Sequence, residues 1–143
     1  MPGYAYLDAS AITKLILPET ERSALEAAML EKDALFASRL ALTECMRAAL
    51  RYGQDPVGTA VVDVFRTFML LDVSSEILRD AGQATPSTLR SLDAIHLASA
   101  LSLKTADLEM ITYDQRMADA ARAHGLTVVQ PGRPARRSVR EGG

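Results

Sequence analysis

Short apolar segments alternate with amphipathic helical segments along most of this 143-residue chain, and this alternation limits the possible fold more than any other feature. The pattern predicts strands over residues 5–7, 34–37, 71–73, 110–112 and 127–129. It predicts helices over residues 10–18, 20–32, 38–52, 55–69, 75–84, 88–103 and 115–124. Strands that are separated by helices are typical of a parallel sheet with right-handed crossover connections. We therefore predict an α/β fold.

The charge of the chain is divided unevenly between a body and a tail. Residues 1–130 hold 12 Lys and Arg against 17 Asp and Glu, whereas residues 131–143 hold 4 Arg against a single Glu. We predict one domain over residues 1–130 and a basic, flexible C-terminal tail over residues 131–143. An acidic body argues against binding nucleic acid through a broad basic face, because phosphate contacts need Lys and Arg. A polyanionic substrate would therefore require a cation as an intermediary.

Cysteine content and the N-terminal sequence bear on the compartment. Cys45 is the single cysteine, so an internal disulfide cannot form, and a small core residue is its expected role. The first ten residues lack the basic start and long apolar run of a signal peptide. No apolar stretch approaches the roughly 18 residues of a membrane span. These features predict a cytoplasmic protein.

Four acidic residues follow strands of the predicted sheet. Asp8 and Asp114 stand directly after the first and fourth strands, Glu44 lies two turns into the helix after the second strand, and Asp93 lies in the second helix after the third. Ligand sites in such sheets lie beyond the C-terminal ends of the strands. The four acids are therefore able to converge at one edge of the sheet, and they are our candidate catalytic residues.

Each of these acids also has an ordinary alternative role. Asp8 and Asp114 are well placed to cap the helices that follow them. Glu44 shares its side of the helix with two arginines, so a solvated surface ion pair is an alternative. Asp93 lies in a segment that is apolar on nearly all sides, where a buried carboxylate needs a partner. The sequence leaves these alternatives open.

Convergence of four acids would favour a divalent ion. Two negative charges about 4 Å apart repel by roughly 1 kcal/mol in water and about 4 kcal/mol at an effective dielectric of 20. Converging carboxylates must therefore be protonated or neutralised. Hard oxygen ligands without Cys or His suit Mg²⁺ or Mn²⁺ rather than zinc. We predict Mg²⁺ as the cofactor, with Mn²⁺ as a substitute, and the four acids as its ligands.

Two histidines and two hydroxyl groups lie near the acids in sequence. His96 follows Asp93 by three residues, and a hydrogen-bonded structural role is expected rather than that of a ligand or proton carrier. His124 is expected to interact with the C-terminus of its helix. Ser10 and Thr112 each lie within two residues of a candidate acid, where a hydroxyl can orient a carboxylate. Capping or local turn bonding is the alternative for both.

Four segments, in this order, carry a resemblance to a known family: YLDASAITKL, ALTECMRAAL, SLDAIHLASAL and ITYDQRMADAA. The chain resembles the PIN-domain ribonucleases, specifically the VapC toxins of bacterial toxin–antitoxin pairs. The resemblance implies a three-layer α/β/α sandwich with a short, mainly parallel central sheet and an acidic, Mg²⁺-dependent site that hydrolyses RNA. It assigns the four candidate acids to that site and Ser10 and Thr112 to supporting positions. Some PIN domains have a further acid shortly after the last one, where this chain has Arg116 and Met117.

The expected reaction is hydrolysis of an RNA phosphodiester by a metal-activated water, leaving a 5′ phosphate and a 3′ hydroxyl. Similar toxins form homodimers and are silenced by a cognate antitoxin, so we expect RNA, a second copy and a VapB-like antitoxin as partners, and no membrane. The cations expected to contact RNA are Lys14, Arg39, Arg90 and Arg116. Candidate dimer or antitoxin contacts, with core packing as their alternative, are Ile12, Leu15, Ile16, Leu25 and Met29.

Three other functions compete with this interpretation. A free-standing PIN-type nuclease acting on other RNA or on DNA would use the same chemistry, although DNA enzymes generally need extra helices to hold a duplex. A catalytically idle partner-binding module is disfavoured because all four acids are present. A phosphoacceptor signalling domain would need an Asp at the end of the third strand, where this chain has Val73 and Ser74.

Overall fold

Within residues 3–53 and 59–134, which the computed structural model describes, five parallel strands form a single sheet. The strands are β1 (Tyr4–Leu7), β2 (Ala34–Ser38), β3 (Met69–Leu71), β4 (Leu108–Ile111) and β5 (Thr127–Val129). The sheet order is β3-β2-β1-β4-β5. The helices are α1 (Ala9–Ile16), α2 (Arg22–Leu30), α3 (Arg39–Arg51), α4 (Thr59–Phe65), α5 (Ser75–Gly82), α6 (Ser91–Ser102) and α7 (Gln115–Ala123). The predicted α/β fold is confirmed.

Helices cover both faces of the sheet. Successive side chains of a strand point to opposite faces, and in β1 Ala5 and Leu7 enter one core while Tyr6 enters the other. The first core is built with α1, α2, α3 and α4. The second is built with α6 and α7, and α5 packs on α6 beside it. The three-layer sandwich implied by the resemblance is therefore confirmed.

The third strand and the helix before it differ from the prediction. The helix ends at Phe65, not at residue 69, and the strand is Met69–Leu71 instead of 71–73. Phe68 donates its backbone N–H to the Phe65 carbonyl and is buried in the first core, while Met69 pairs with Phe36 of β2. The apolar run from 65 to 71 satisfies both helical and strand periodicity, and pairing with β2 decides where one ends. The predicted helix start at 55–58 lies outside the described residues.

The segment after β5 returns along the C-terminal end of β4. We call residues 130–133 the C-terminal strap. The Gln130 side chain donates to the Thr112 carbonyl at 2.9 Å, the Tyr113 hydroxyl donates to the Pro131 carbonyl at 2.7 Å, and Arg133 Nη1 donates to the Tyr113 carbonyl at 3.0 Å. The start of the predicted flexible tail is thus held on the domain. Residues 135–143 lie outside the described residues, and for them the tail remains a prediction.

The apolar residues of the first two helices are mostly core. Ile12, Leu15, Ile16 and Leu25 are buried in the first core, which is the alternative role considered for them above. Met29 is partly buried and lines a surface groove of about 380 Å³ between α2 and α4. Among the helices in the described part of the chain, none is long and apolar enough to cross a membrane.

Candidate active site

The strand order brings the first and fourth strands together at the centre of the sheet. Because the order reverses between β1 and β4, a crevice is expected beyond their C-terminal ends. Leu7 pairs with Ile111, so the next residues, Asp8 and Thr112, are neighbours although 104 positions separate them. The Asp8 backbone N–H donates to the Ile111 carbonyl at 3.4 Å. Strand register therefore places the first acid beside the segment that carries Asp114.

Asp8 is buried, with 3% of its surface exposed, and it is surrounded by hydrogen-bond donors. Its Oδ1 accepts from the Ser10 hydroxyl at 2.7 Å and from the Ala11 backbone N–H at 3.1 Å, which caps α1. Its Oδ2 accepts from the Thr112 hydroxyl at 2.6 Å. Burial raises the pKa of the Asp8 carboxyl, and the hydrogen bonds from Thr112 and Ser10 offset part of that rise. Three donors thus bind the Asp8 carboxylate, whose charged form is disfavoured by burial.

Asp114 is the N-cap of α7. Its Oδ1 accepts from the backbone N–H groups of Arg116 at 2.9 Å and Met117 at 3.3 Å. The Thr112 hydroxyl oxygen in turn accepts from the Asp114 backbone N–H at 3.2 Å. Thr112 therefore bonds both to Asp8 at the end of β1 and to Asp114 after β4. Asp114 caps α7 and still lies close to Asp8 through this shared partner.

Glu44 does not form the surface ion pair that was considered for it. Its Oε1 lies 2.6 Å from Nε2 of His96, a buried residue of α6 with 1% of its surface exposed. The other ring nitrogen, Nδ1, lies 2.7 Å from the hydroxyl of Tyr6 on β1. His96 has the hydrogen-bonded role predicted for it, but the sequence did not indicate its partners. Tyr6 was missed, although a buried phenol on the strand that ends at Asp8 needs a polar partner.

The charges of the other three acids act on Asp93. It lies in the first turn of α6, is partly buried, and makes no hydrogen bond or ion pair with any residue in 3–53 or 59–134. Burial raises the pKa of its carboxyl, and the negative charges of Asp114, Asp8 and Glu44 raise it further, while His96 acts in the opposite direction. The charges of Asp8, Glu44 and Asp114 are therefore close enough to Asp93 to affect its carboxyl.

The donor set can be tested against the predicted divalent ion. In the part of the chain that the structure describes, no three or more His, Cys, Asp or Glu side chains are arranged as a group that could hold a metal. The donor chemistry nevertheless fits a hard cation, because all four predicted ligands are carboxylates. Burial is the main reason why the pKa of Asp93 is raised, and a cation would relieve the smaller contribution from the neighbouring negative charges. The assignment of these acids as ligands remains a prediction.

The cations predicted to contact RNA fall into two pairs. Lys14 forms ion pairs with acids near the start of α2, and Arg39 pairs with Asp72. Arg90 and Arg116 are exposed, and neither forms an ion pair with another described residue. Arg116 lines a groove of about 680 Å³ between α7 and the loop joining α5 to α6. The two free arginines precede Asp93 and follow Asp114 closely in sequence.

The loop and α7 are joined by His124, for which an interaction with the end of its own helix was predicted. His124 is the C-cap of α7, and its Nε2 also donates to the Thr85 carbonyl at 2.9 Å. This bond connects the two walls of the groove that contains Arg116.

Comparison with known proteins gives a consistent result. A family model described as PIN domain matches residues 5–123. Ribonuclease VapC46 of Mycobacterium tuberculosis is 40% identical over 126 residues, which cover 88% of this chain and 96% of the relative. A toxin–antitoxin complex from Klebsiella pneumoniae has a similar fold (TM-score 0.66, 23% identity, 89% of this chain and 97% of that one). So does M. tuberculosis VapC20, described as a sarcin–ricin loop cleaving toxin (TM-score 0.69, 14% identity, 89% and 99%).

Proposed function

Because this chain belongs to the PIN domain family and to the VapC ribonucleases within it, we propose that it is a Mg²⁺-dependent endoribonuclease and the toxin of a toxin–antitoxin pair. The observation that carries the proposal is the electrostatic environment of Asp93. Burial raises the pKa of its carboxyl, and the negative charges of Asp114, Asp8 and Glu44, which come from three other segments of the chain, raise it further. A structural protein gains no stability from such repulsion, whereas a site for a cation and a phosphodiester requires it.

Three of the four acids differ in how the protein holds their carboxylates for this site. Bound Mg²⁺ would supply positive charge against the phosphate and lower the pKa of a nearby water. Asp8 would contribute a carboxylate that is already fixed by Ser10, Thr112 and the start of α1. Asp114 would contribute a carboxylate fixed by the start of α7. Asp93 has no competing partner among the described residues and is free to accept the ion.

The RNA would approach from the side of the two unpaired arginines. Arg116 lies beside the groove between α7 and the α5–α6 loop, so it is placed to contact a phosphate next to the one that is cut. Lys14 and Arg39 are engaged by acids and contribute less to this binding than was expected. Although the body of the protein is acidic, it would thus bind RNA through the two unpaired arginines beside the site and through the metal.

We further propose a VapB-like antitoxin and a second copy of the chain as protein partners. The first is supported by the similar fold of a chain solved as part of a toxin–antitoxin complex. The exposed apolar residues available for such contacts include Leu30 and Met69, which are 87% and 59% exposed. If a small protein with a DNA-binding sequence is encoded next to this one, co-expression of the two should yield a stable complex that no longer cuts RNA.

The decisive experiment compares two variants that remove one negative charge each. Asp93→Asn alters the proposed site, whereas Asp107→Asn alters an exposed acid that precedes β4 and therefore lies at the opposite edge of the sheet. Cleavage of total cellular RNA is measured with Mg²⁺, Mn²⁺ or EDTA. We expect Asp93→Asn to lose more than about 100-fold in rate, beyond the usual cost of an outer-shell change. Equal activity of the two variants, or cutting that persists in EDTA, would refute the proposal.

A further inference from the structure

Tyr6, His96 and Glu44 form a chain of hydrogen bonds that joins three elements at the proposed site. Tyr6 comes from β1, His96 from α6 and Glu44 from α3. The two heavy-atom distances are 2.7 Å and 2.6 Å. α3 and α6 lie on opposite faces of the sheet, so the contact between Glu44 and His96 crosses from one helical layer to the other.

The direction of these hydrogen bonds follows from the chemistry of the groups. A carboxylate only accepts hydrogen bonds, so His96 Nε2 carries a hydrogen and donates it to Glu44 Oε1. In the neutral ring this leaves Nδ1 as an acceptor for the Tyr6 hydroxyl. Glu44 therefore selects the ring tautomer, and Tyr6 donates to the nitrogen that carries no hydrogen in that tautomer.

The chain also limits how the Glu44 side chain can turn. His96 and Tyr6 are fully enclosed, with 1% and 0% of their surfaces exposed, so neither can follow Glu44 into solvent. Glu44 itself is partly exposed and has three rotatable bonds before its carboxylate. A fixed donor on Oε1 leaves Oε2 as the oxygen available to the site. Without that donor, ordering this side chain would cost conformational entropy on each binding event.

We infer that His96 and Tyr6 are positioning residues that hold the Glu44 carboxylate in orientation for the acidic site. The inference rests on the proposed function, because orientation matters only if the site binds a cation and RNA. It adds two residues that make no direct contact with either. In metal sites, partners that orient a ligand in this way typically change metal affinity or activity by 10- to 100-fold when they are lost.

The test uses two polar replacements of His96 that differ in which bond they keep. His96→Gln places an amide near the position of Nε2 and can still donate to Glu44. His96→Asn places its amide near the position of Nδ1, where it can contact Tyr6 but cannot reach Glu44. Both replacements are polar, but Asn is one methylene smaller than Gln, so a merely structural role predicts that any loss of Mn²⁺ binding follows the loss of thermal stability. A positioning role predicts that Asn loses Mn²⁺ binding and Gln keeps it, beyond what their thermal stabilities explain.

The measurement is Mn²⁺ binding to the purified full chain by isothermal titration, with kcat and KM for RNA cleavage as a second readout. We expect His96→Asn to bind Mn²⁺ about 10- to 100-fold more weakly than wild type and His96→Gln to stay within about threefold. The loss in cleavage should appear in kcat more than in KM. Tyr6→Phe, which keeps the ring and removes the hydroxyl that bonds to His96, should weaken Mn²⁺ binding by roughly 2- to 10-fold.

The controls separate this inference from the function on which it rests. Leu25→Val shortens a fully buried side chain of α2 and reproduces a loss of stability without touching the chain of bonds, so its Mn²⁺ affinity should equal that of wild type. If wild type binds no Mn²⁺, the proposed function fails and the inference fails with it. If wild type binds Mn²⁺ and the Asn and Gln variants bind equally well, the positioning role alone is overturned. Should His96→Asn not fold, an unchanged affinity of Tyr6→Phe overturns it.

Discussion

Replacing Gly132 by alanine should detach the C-terminal strap from the domain. Gly132 has a φ of +86°, a conformation that costs an L-residue about 1–2 kcal/mol. An added Cβ would also lie 3.2 Å from the Cβ of Ala24 and from the Cα and Cβ of Glu21, at the start of α2. The backbone of Glu21 cannot move aside easily. The substitution therefore adds a steric conflict to the conformational cost.

The cost is limited by what the strap contributes, because the strap can detach instead of accepting the strain. Its hydrogen bonds to Thr112 and Tyr113 connect the strap with the end of β4 in three places. At about 0.5–1.5 kcal/mol net for each bond, their loss amounts to roughly 2–4 kcal/mol. For a domain of this size, about 3 °C of melting temperature corresponds to each kcal/mol. We expect Gly132→Ala to melt roughly 6–12 °C below wild type.

Gly125 provides the matched control, because it has nearly the same backbone conformation in open space. Its φ is +85°, and an added Cβ would meet nothing within 4 Å. Gly125→Ala should cost only about 1 kcal/mol, or roughly 3 °C, after the lower entropy of its unfolded chain is considered. Thermal melts followed by circular dichroism give both values. Equal losses would refute the reasoning, because they would mean that the added Cβ at Gly132 causes no conflict with Glu21 and Ala24 and does not detach the strap.

Three further outcomes test the electrostatics. Asp8→Asn should abolish cleavage but raise the melting temperature at neutral pH, because burial raises the pKa of the Asp8 carboxyl and makes its charged form costly. That cost exists only above the raised pKa. Calorimetry should therefore show that the gain in melting temperature shrinks as pH falls. The Glu21 backbone N–H, with Lys14 and Arg133, lowers the pKa of Glu21 to about 2, so its contribution to stability is present above its ordinary pKa and is lost as pH falls towards 2. Urea melts of Glu21→Gln should therefore show less weakening on acidification than those of wild type. Burial raises the pKa of the Cys45 thiol to about 12, so a disulfide reagent should modify it only as fast as the protein unfolds, and immediate reaction would contradict the buried placement.

The sequence predicts the alternation of strands and helices because this alternation depends on local periodicity. For the same reason it predicts where each acid lies relative to the end of a strand. Backbone hydrogen bonding sets that periodicity within a few residues, so segments such as β1 and α7 were predicted closely. The boundary between α4 and β3 was predicted wrongly because the run from Phe65 to Leu71 fits both periods. Pairing with β2, which is distant in sequence, determines where the strand begins.

The contacts that complete the candidate site join residues far apart in the chain, and only the tertiary structure decides them. The Thr112 hydroxyl reaches Asp8 across 104 positions because β1 and β4 pair in one register. His96 reaches Glu44 across 52 positions because two helical layers meet beyond the edge of the sheet. The sequence by itself determined which side chains leave the sheet at that edge. Which of them bond to one another depends on strand order and layer packing, since these bring together residues that no local pattern relates.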